Sequence, residues 1–314
     1  MPDLPIEILH EIFAYFSSPL RVRQAHKFPW YLGQVCSRWR ALFFSMRSTF
    51  WRKIQIEWYF YYDDLHSIRF CKRVQMILAF FLSRTQGASF SFSLFRTPHY
   101  PDVKYVRWIL KDLLDHSRQW EEASILLASA DVNLLRSAKG HLPLLKRLEI
   151  MTPPYYEGNG MVHPSFAAIF RDTPLLTHVV VEDISMWEFN WSSLTILSMG
   201  HQKNITKSLA ILQKSVNLVD LTINMFLRVP RGMHGLMIRF PRLECLSIEG
   251  VKLLTALETP ALRRLEILDY DRIGDSTVTA DEMVDFLCRS RLKLTFWRNK
   301  MGYKDFLHTS TLEA

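Results

Sequence analysis

The sequence predicts an α/β fold in two parts. A small all-helical module comes first, and an irregular solenoid follows, in which a curved parallel sheet carries helices and loops on its outer face. Three observations predict it. Two short segments, residues 4–16 and 35–43, place apolar residues at helical spacing with too little chain to build a core of their own. From Leu145 to Ile267 a short strand of the form L-x-x-L-x-L recurs six times. The 314 residues are 48% hydrophobic and 22% charged, a composition that packs and does not disorder. The expected boundaries are 1–55 for the helical module, 56–119 for linking helices and strands that start the solenoid, and 120–314 for the solenoid with a C-terminal cap.

In the first segment Leu4, Ile8, Leu9, Ile12, Phe13 and Phe16 form one helical stripe. Pro5 suits a first helical turn, where its missing N–H would have no intrahelical partner, and Asp3 is placed to cap it. In the second, Val35, Cys36, Trp39, Leu42 and Phe43 share a face, with Ser37, Arg38 and Arg40 on the other. Phe50-Trp51 closes the module.

Residues 52–62 alternate with many aromatics and read as a strand. Residues 69–83 read as a helix through Phe70, Val74, Ile77, Leu78, Phe81 and Leu82, which Gly87 stops. Its most apolar run, 74–82, is far shorter than the ~20 residues of a membrane span and reads as a buried helix. The strictly alternating residues 89–95 form a half-buried strand, and 106–120 a second amphipathic helix.

The six repeated strands begin at Leu145, Leu176, Leu194, Leu218, Leu243 and Leu262, in steps of 31, 18, 24, 25 and 19 residues. A weaker copy begins at Trp120 (Trp120, Ala123, Ile125), and residues 292–296 close the series. Two longer steps hold helices at 165–171 and 205–216, while the short steps have room for a loop or one helical turn. This is an irregular leucine-rich repeat, in which each unit lays one strand on a shared parallel sheet and crosses back outside. A helix at 280–288, capped by Thr279, covers the open end. The apolar triad of each strand points inward. Arg147, Glu149, His178, Val180, Ile196, Ser198, Asp220, Thr222, Cys245, Ser247, Arg264 and Glu266 then face the concave side. Any one of them is explained as a solvated sheet residue; as a set they are the largest recognition surface the sequence offers. Arg147, Glu149, His178, Ile196, Asp220, Thr222, Arg264 and Glu266 are the candidate contacts, with Tyr155 and Tyr156 on the loop 151–163.

The N-terminal residues resemble the F-box, the helical module that docks on the Skp-family adaptor of SCF ubiquitin ligases. The matching residues are Leu4-Pro5, Glu7, Ile8-Leu9 and Ile12-Phe13, then Val35-Cys36, Trp39-Arg40 and Trp51. Residues 17–32 depart from a compact F-box by their length, although fungal F-box proteins carry such an insertion ahead of a PWxLxxVCxxWR run, which Pro29-Trp30-Tyr31-Leu32 resembles. The resemblance covers about a sixth of the chain. It implies a non-catalytic substrate receptor of an SCF-type (cullin-RING) ligase, with Leu4, Pro5, Ile8, Leu9, Ile12, Phe13, Val35, Cys36, Trp39 and Trp51 on the adaptor and a protein substrate on the solenoid. The competing reading is a repeat scaffold whose N-terminal helices cap the solenoid and which has no ligase role.

Composition narrows the alternatives. The net charge of +8 is dispersed, without a run of five or six basic residues, so a nucleic-acid partner is not expected. Four scattered cysteines without a CxxC pair read as reduced core thiols of an intracellular protein, cytoplasmic or nuclear. No nucleophile elbow, phosphate-binding glycine loop or HExxH pair occurs, and no two of the eleven histidines lie within four residues of each other. Neither catalytic residues, a metal, a cofactor nor a membrane contact is expected.

Overall fold

The computed structural model describes residues 4–58, 64–96, 103–126, 129–151, 168–200, 202, 204–224, 237–249, 251–268, 280–290 and 296–299. The fold is mixed α/β with parallel sheet, and the chain divides into two compact units, Met1–Leu176 with Met186–Phe189 and Thr177–Ser185 with Asn190–Ala314.

The first unit runs α1 (Ile6–Tyr15), β1 (Leu20–Arg21), α2 (Ser37–Ser45), α3 (Arg47–Phe50), β2 (Lys53–Trp58), α4 (Asp64–Thr85), β3 (Phe90–Arg96), α5 (Val103–Asp115), β4 (Trp120–Leu126) and β5 (Arg147–Met151). Its five strands pair in parallel in chain order, through Leu20 with Ile54, Ile54 with Phe92, Phe92 with Ala123 and Ala123 with Leu148. The apolar side of the sheet, including Ile54, Ile56, Phe92, Leu94, Ile125 and Ile150, is buried together with Val74, Leu78 and Phe81 of α4 and Ile109, Leu110 and Leu113 of α5. Rings interlock there: Phe81 and Phe90 lie 5.8 Å apart, Phe92 and Trp120 4.8 Å. The Trp120 indole N–H donates to the Leu113 carbonyl at 3.0 Å, so its one polar atom is satisfied in the core.

Several sequence expectations shift. Pro5 is the N-cap of α1, not its first turn, and its carbonyl accepts the first helical bond from Leu9 N–H; Asp3 lies outside the described residues. Residues 1–55 are not all-helical: Leu20–Arg21 pairs with β2, and two 3₁₀ segments, Val22–Lys27 and Trp30–Gln34, fill the insertion. They also belong to the same compact unit as the first five strands. Helix α4 is amphipathic, not buried all round, since Met76 stands 73% exposed. It ends where Gln86 and Gly87 take left-handed φ of 48° and 85°, a geometry glycine accepts without strain. Helix α5 stops at Asp115, and Trp120 opens β4 because its side chain fills the sheet core. Only Cys71 is a core thiol; Cys245 is half-buried, Cys36 and Cys288 are exposed, and all four are free.

The second unit runs β6 (His178–Val181), β7 (Ile196–Met199), α6 (Ile205–Lys214), β8 (Asp220–Ile223), β9 (Ile238–Arg239), β10 (Cys245–Glu249), β11 (Leu257–Glu258), β12 (Arg264–Leu268), α7 (Ala280–Ser290) and β13 (Phe296–Asn299). Strands β6, β7, β8, β10, β12 and β13 pair in parallel without a register break, and β9 with β11 makes a separate small ladder. All six repeated strands thus form, one in the first unit and five in this one. Val179, Leu197, Leu221, Leu246 and Leu265 stack in one buried row, and Val181, Met199, Ile223, Ile248 and Ile267 in the next. At the start of β7, β8, β10 and β12 one carbonyl of the preceding strand segment (Thr177, Thr195, Val219, Glu244) accepts two successive N–H groups. The repeat is therefore a backbone device as well as a leucine pattern.

Helix α6 forms as expected, with the Asn204 side chain accepting from Lys207 N–H at 2.9 Å. Of the predicted helix at 165–171, residues 165–167 lie outside the described residues, and the described part holds a 3₁₀ turn at 168–170. The short steps hold 3₁₀ turns, Ile184–Met186, Trp191–Ser193 and Val251–Ala256, for lack of chain. The last strand, Phe296–Asn299, begins where residues 292–296 were expected to end; Arg264 pairs with Phe296 in its register. Thr279 lies outside the described residues.

Candidate functional site

Two surfaces carry the residues that the sequence singles out. The first is built by α1 and α2. Leu9 and Phe13 turn inward and are buried, with Phe13 edge-on to Trp39 at 5.0 Å and to Phe50 at 6.4 Å. Trp51 is also buried, among Phe28, Phe43 and Phe80 at 5.4–5.6 Å. These three residues are core, because each fills the ring cluster that ties the helices to the sheet. Ile12 and Trp39 are half-buried.

The opposite face of α1 is bare. Leu4 is 45%, Ile8 48% and Val35 60% exposed, and Pro5 and Cys36 are exposed beside them. Arg38 fixes the two segments by donating to the Leu4 carbonyl at 2.9 Å, and Arg40 donates to the Gly33 carbonyl at 2.8 Å. The Cys36 sulfur caps α2 by accepting from Trp39 N–H at 3.5 Å, a structural duty. Sequence reasoning missed Ile6, Tyr15 and Tyr31, which add exposed apolar area; Tyr31 meets Phe16 edge-on at 6.1 Å. Their signal was their position: apolar residues left off the inward stripe.

The second surface is the polar face of the second unit's sheet. Pairing puts His178, Ile196, Asp220, Cys245 and Arg264 in one cross-strand row, and Val180, Ser198, Thr222, Ser247 and Glu266 in the next. Each is half-buried except Arg264, which is exposed. Asp220, Thr222, Cys245, Ser247, Arg264 and Glu266 line a depression of about 220 Å³. Burial pushes the Asp220 carboxyl up, with His178 and Arg264 opposing it in part. Burial likewise pushes the Cys245 thiol up, helped by the Asp220 charge, so it stays protonated at neutral pH and makes a poor nucleophile. Arg264 and Glu266 form an ion pair at 3.7 Å. Cys245 and Ser247, expected on this face but not among the candidate contacts, line the depression as well. Arg147 and Glu149 sit on β5 of the first unit, where Glu149 accepts from Ser124 Oγ at 2.6 Å. Tyr155 and Tyr156 lie outside the described residues.

Among the described residues no group of three His, Cys, Asp or Glu could hold a metal ion, and no helix is long and apolar enough to cross a membrane. Compared with known proteins, the chain matches no family model and no curated sequence.

Proposed function

We propose that the chain is a non-catalytic substrate receptor of an SCF-type (cullin-RING) ubiquitin ligase, working in the cytoplasm or nucleus. In this reading Leu4, Pro5, Ile8 and Val35 seat in the groove of a Skp-family adaptor and the polar sheet face holds a protein substrate. The receptor contributes position alone, raising the local concentration of a substrate lysine near the ubiquitin-loaded enzyme. One observation carries it. Leu4, Ile8 and Val35 are about half exposed on or just ahead of helices whose other side is already packed, which is the state of a docking surface awaiting a partner. A helical cap would bury them.

A second reading draws on the inner side of the same helices. Leu9, Phe13, Phe43, Phe50 and Trp51 are buried and Leu20–Arg21 extends the sheet, which supports a covering role within a repeat scaffold that has no ligase role. Co-purification of the full chain with a Skp-family adaptor separates the two. Stoichiometric binding, weakened at least about tenfold by Leu4→Ala with Pro5→Ala, is the expected result, because interface anchors of this kind contribute about 1–3 kcal/mol each. A folded wild-type chain that does not bind leaves the scaffold reading.

A further inference from the structure

One cavity in the first unit belongs to neither surface. It has a volume of about 510 Å³, and its walls come from α1 (His10), the end of α2 and α3 (Ser45, Arg47, Ser48, Thr49), the turns before β2 and β3 (Arg52, Ser89) and β4 (Glu121).

Its floor is made by a β-bulge. Phe90 pairs with Trp120 and Ser91 with Glu122, so Glu121 is the extra residue of β4, and the bulge brings its carboxylate to the cavity. That carboxylate is the cavity's anionic side chain, and its oxygens are occupied. Arg52 Nη2 donates to Oε1 and Oε2 at 2.9 and 3.0 Å, Lys146 Nζ to Oε1 at 3.0 Å, and Ser89 Oγ to Oε2 at 3.1 Å. Two cations on one buried carboxylate leave the floor with a net positive charge.

The wall differs in how its side chains are engaged. Among the described residues the side chains of His10, Arg47, Ser48 and Thr49 make no hydrogen bond or ion pair, and Arg52 uses one of its three guanidinium nitrogens. The unused side-chain groups are thus chiefly donors, with cations among them. A ligand that satisfies them must be rich in acceptors and negatively charged. Arg47 and Arg52 have the planar forks suited to tetrahedral oxyanions, and the neighbouring hydroxyls supply single donors.

We propose that this cavity is a binding site for a small phosphoryl anion, held by Arg47, Arg52, Ser48 and Thr49 above the Glu121 floor. The site is independent of adaptor docking, since the exposed Leu4 and Ile8 do not line it.

Titration of the full chain with orthophosphate and, separately, with adenosine monophosphate tests it, read by calorimetry and by thermal shift against potassium chloride at matched ionic strength. Saturable phosphate binding is expected, weakened about tenfold or more by Arg47→Ala and less by Thr49→Val, with the unliganded melting temperature unchanged in both. Arg21→Ala, an exposed arginine on β1, serves as the charge control and leaves binding intact. Tighter binding of the nucleotide identifies an esterified phosphate as the ligand, and equal or weaker binding the free anion. A thermal shift no larger than that of chloride overturns the proposal, and so does binding that Arg47→Ala and Arg21→Ala weaken equally.

Discussion

The two units solve the same packing problem with different materials. In the first, the sheet is covered by the 22-residue α4 and the 13-residue α5, and the core is aromatic: Phe90, Phe92 and Trp120 on the sheet with Phe81 of α4 against them, and Phe13, Phe28, Phe43, Phe50 and Trp51 beneath the N-terminal helices. In the second, two of the connections cross back as 3₁₀ turns, and the sheet side of the core is a ladder of Leu, Ile, Val and Met. Short turns leave buried backbone groups without helical partners, and polar side chains satisfy them. Gln202, 8% exposed, donates to the Glu182 and Gly200 carbonyls at 2.7 and 2.8 Å and accepts from Ile184 N–H at 3.1 Å and Ser208 Oγ at 2.9 Å. Thr259 N–H donates to Ser290 Oγ at 3.1 Å in the same way. Ring area anchors one unit and side-chain clamps the other.

If that contrast holds, the largest single loss comes from a ring. Trp51 is 1% exposed, meets four aromatic residues within 6 Å and donates its indole N–H to the Phe43 carbonyl at 3.4 Å. Trp51→Ala should cost about 3–5 kcal/mol in chemical denaturation. A cost under about 1 kcal/mol would mean that the N-terminal ring cluster is not a core.

The matching cut in the second unit is Gln202→Ala. Its loss leaves the Ile184 N–H and the Gly200 carbonyl buried without partners, a cost of about 1–3 kcal/mol by the same denaturation assay. Gln202→Glu tests the clamp more finely, because a carboxylate keeps the acceptor and loses both donations. It should be as damaging as alanine or worse near neutral pH.

The leucine ladder was legible in the sequence because strand, turn and inward triad repeat together: every L-x-x-L-x-L segment from Leu145 to Leu262 lies on a strand, and the intervening residues share one polar face. The N-terminal stripe was half legible. Spacing places Leu4, Ile8, Leu9 and Phe13 on one helix, but a stripe wider than the core it covers does not say which edge stays exposed, and Leu9 and Phe13 went inward while Leu4 and Ile8 did not. The closing strand expected at 292–296 is described from Phe296 to Asn299, and residues 292–295 lie outside the described residues. The Glu121 cavity was invisible as a motif, since its walls are brought together from five separate stretches of chain. The adjacent acids Glu121-Glu122 inside an apolar triad were the one local sign that the strand does something besides pack.

Glu121 is a polar anchor of the first unit comparable to those of the second, and pH sharpens the comparison there. Burial pulls the Glu121 carboxyl up, but the bonds from Lys146 and Ser89 and the Arg52 guanidinium outweigh it and hold it below the ordinary glutamate value. A carboxyl depressed in the folded state stabilises the fold above its unfolded value, and that contribution is lost as pH falls through the folded value. Glu121→Gln should therefore cost about 1 kcal/mol at neutral pH, the partners being more than half exposed and screened, and should flatten the acid limb of a stability–pH profile. An acid limb identical to wild type would remove Glu121 from the account.

The smallest effect is expected on the polar face of the second unit, and it runs the other way. Asp220 lies in the row between His178 and Arg264, two strands from each, and burial raises its carboxyl more than those cations lower it. A carboxyl raised in the folded state favours the fold below its unfolded value, and this advantage disappears as pH climbs through the folded value. At pH 7 the ionised group is then a mild liability to folding, so Asp220→Asn should raise the melting temperature by about 1–3 °C at pH 7 and by less at pH 4. A residue that costs stability where it stands is better placed to meet a donor from outside than to hold the sheet together. If the asparagine variant melts lower instead, Asp220 belongs with Gln202 among the clamps, and the depression it lines with Thr222, Cys245 and Ser247 loses its claim as a recognition face.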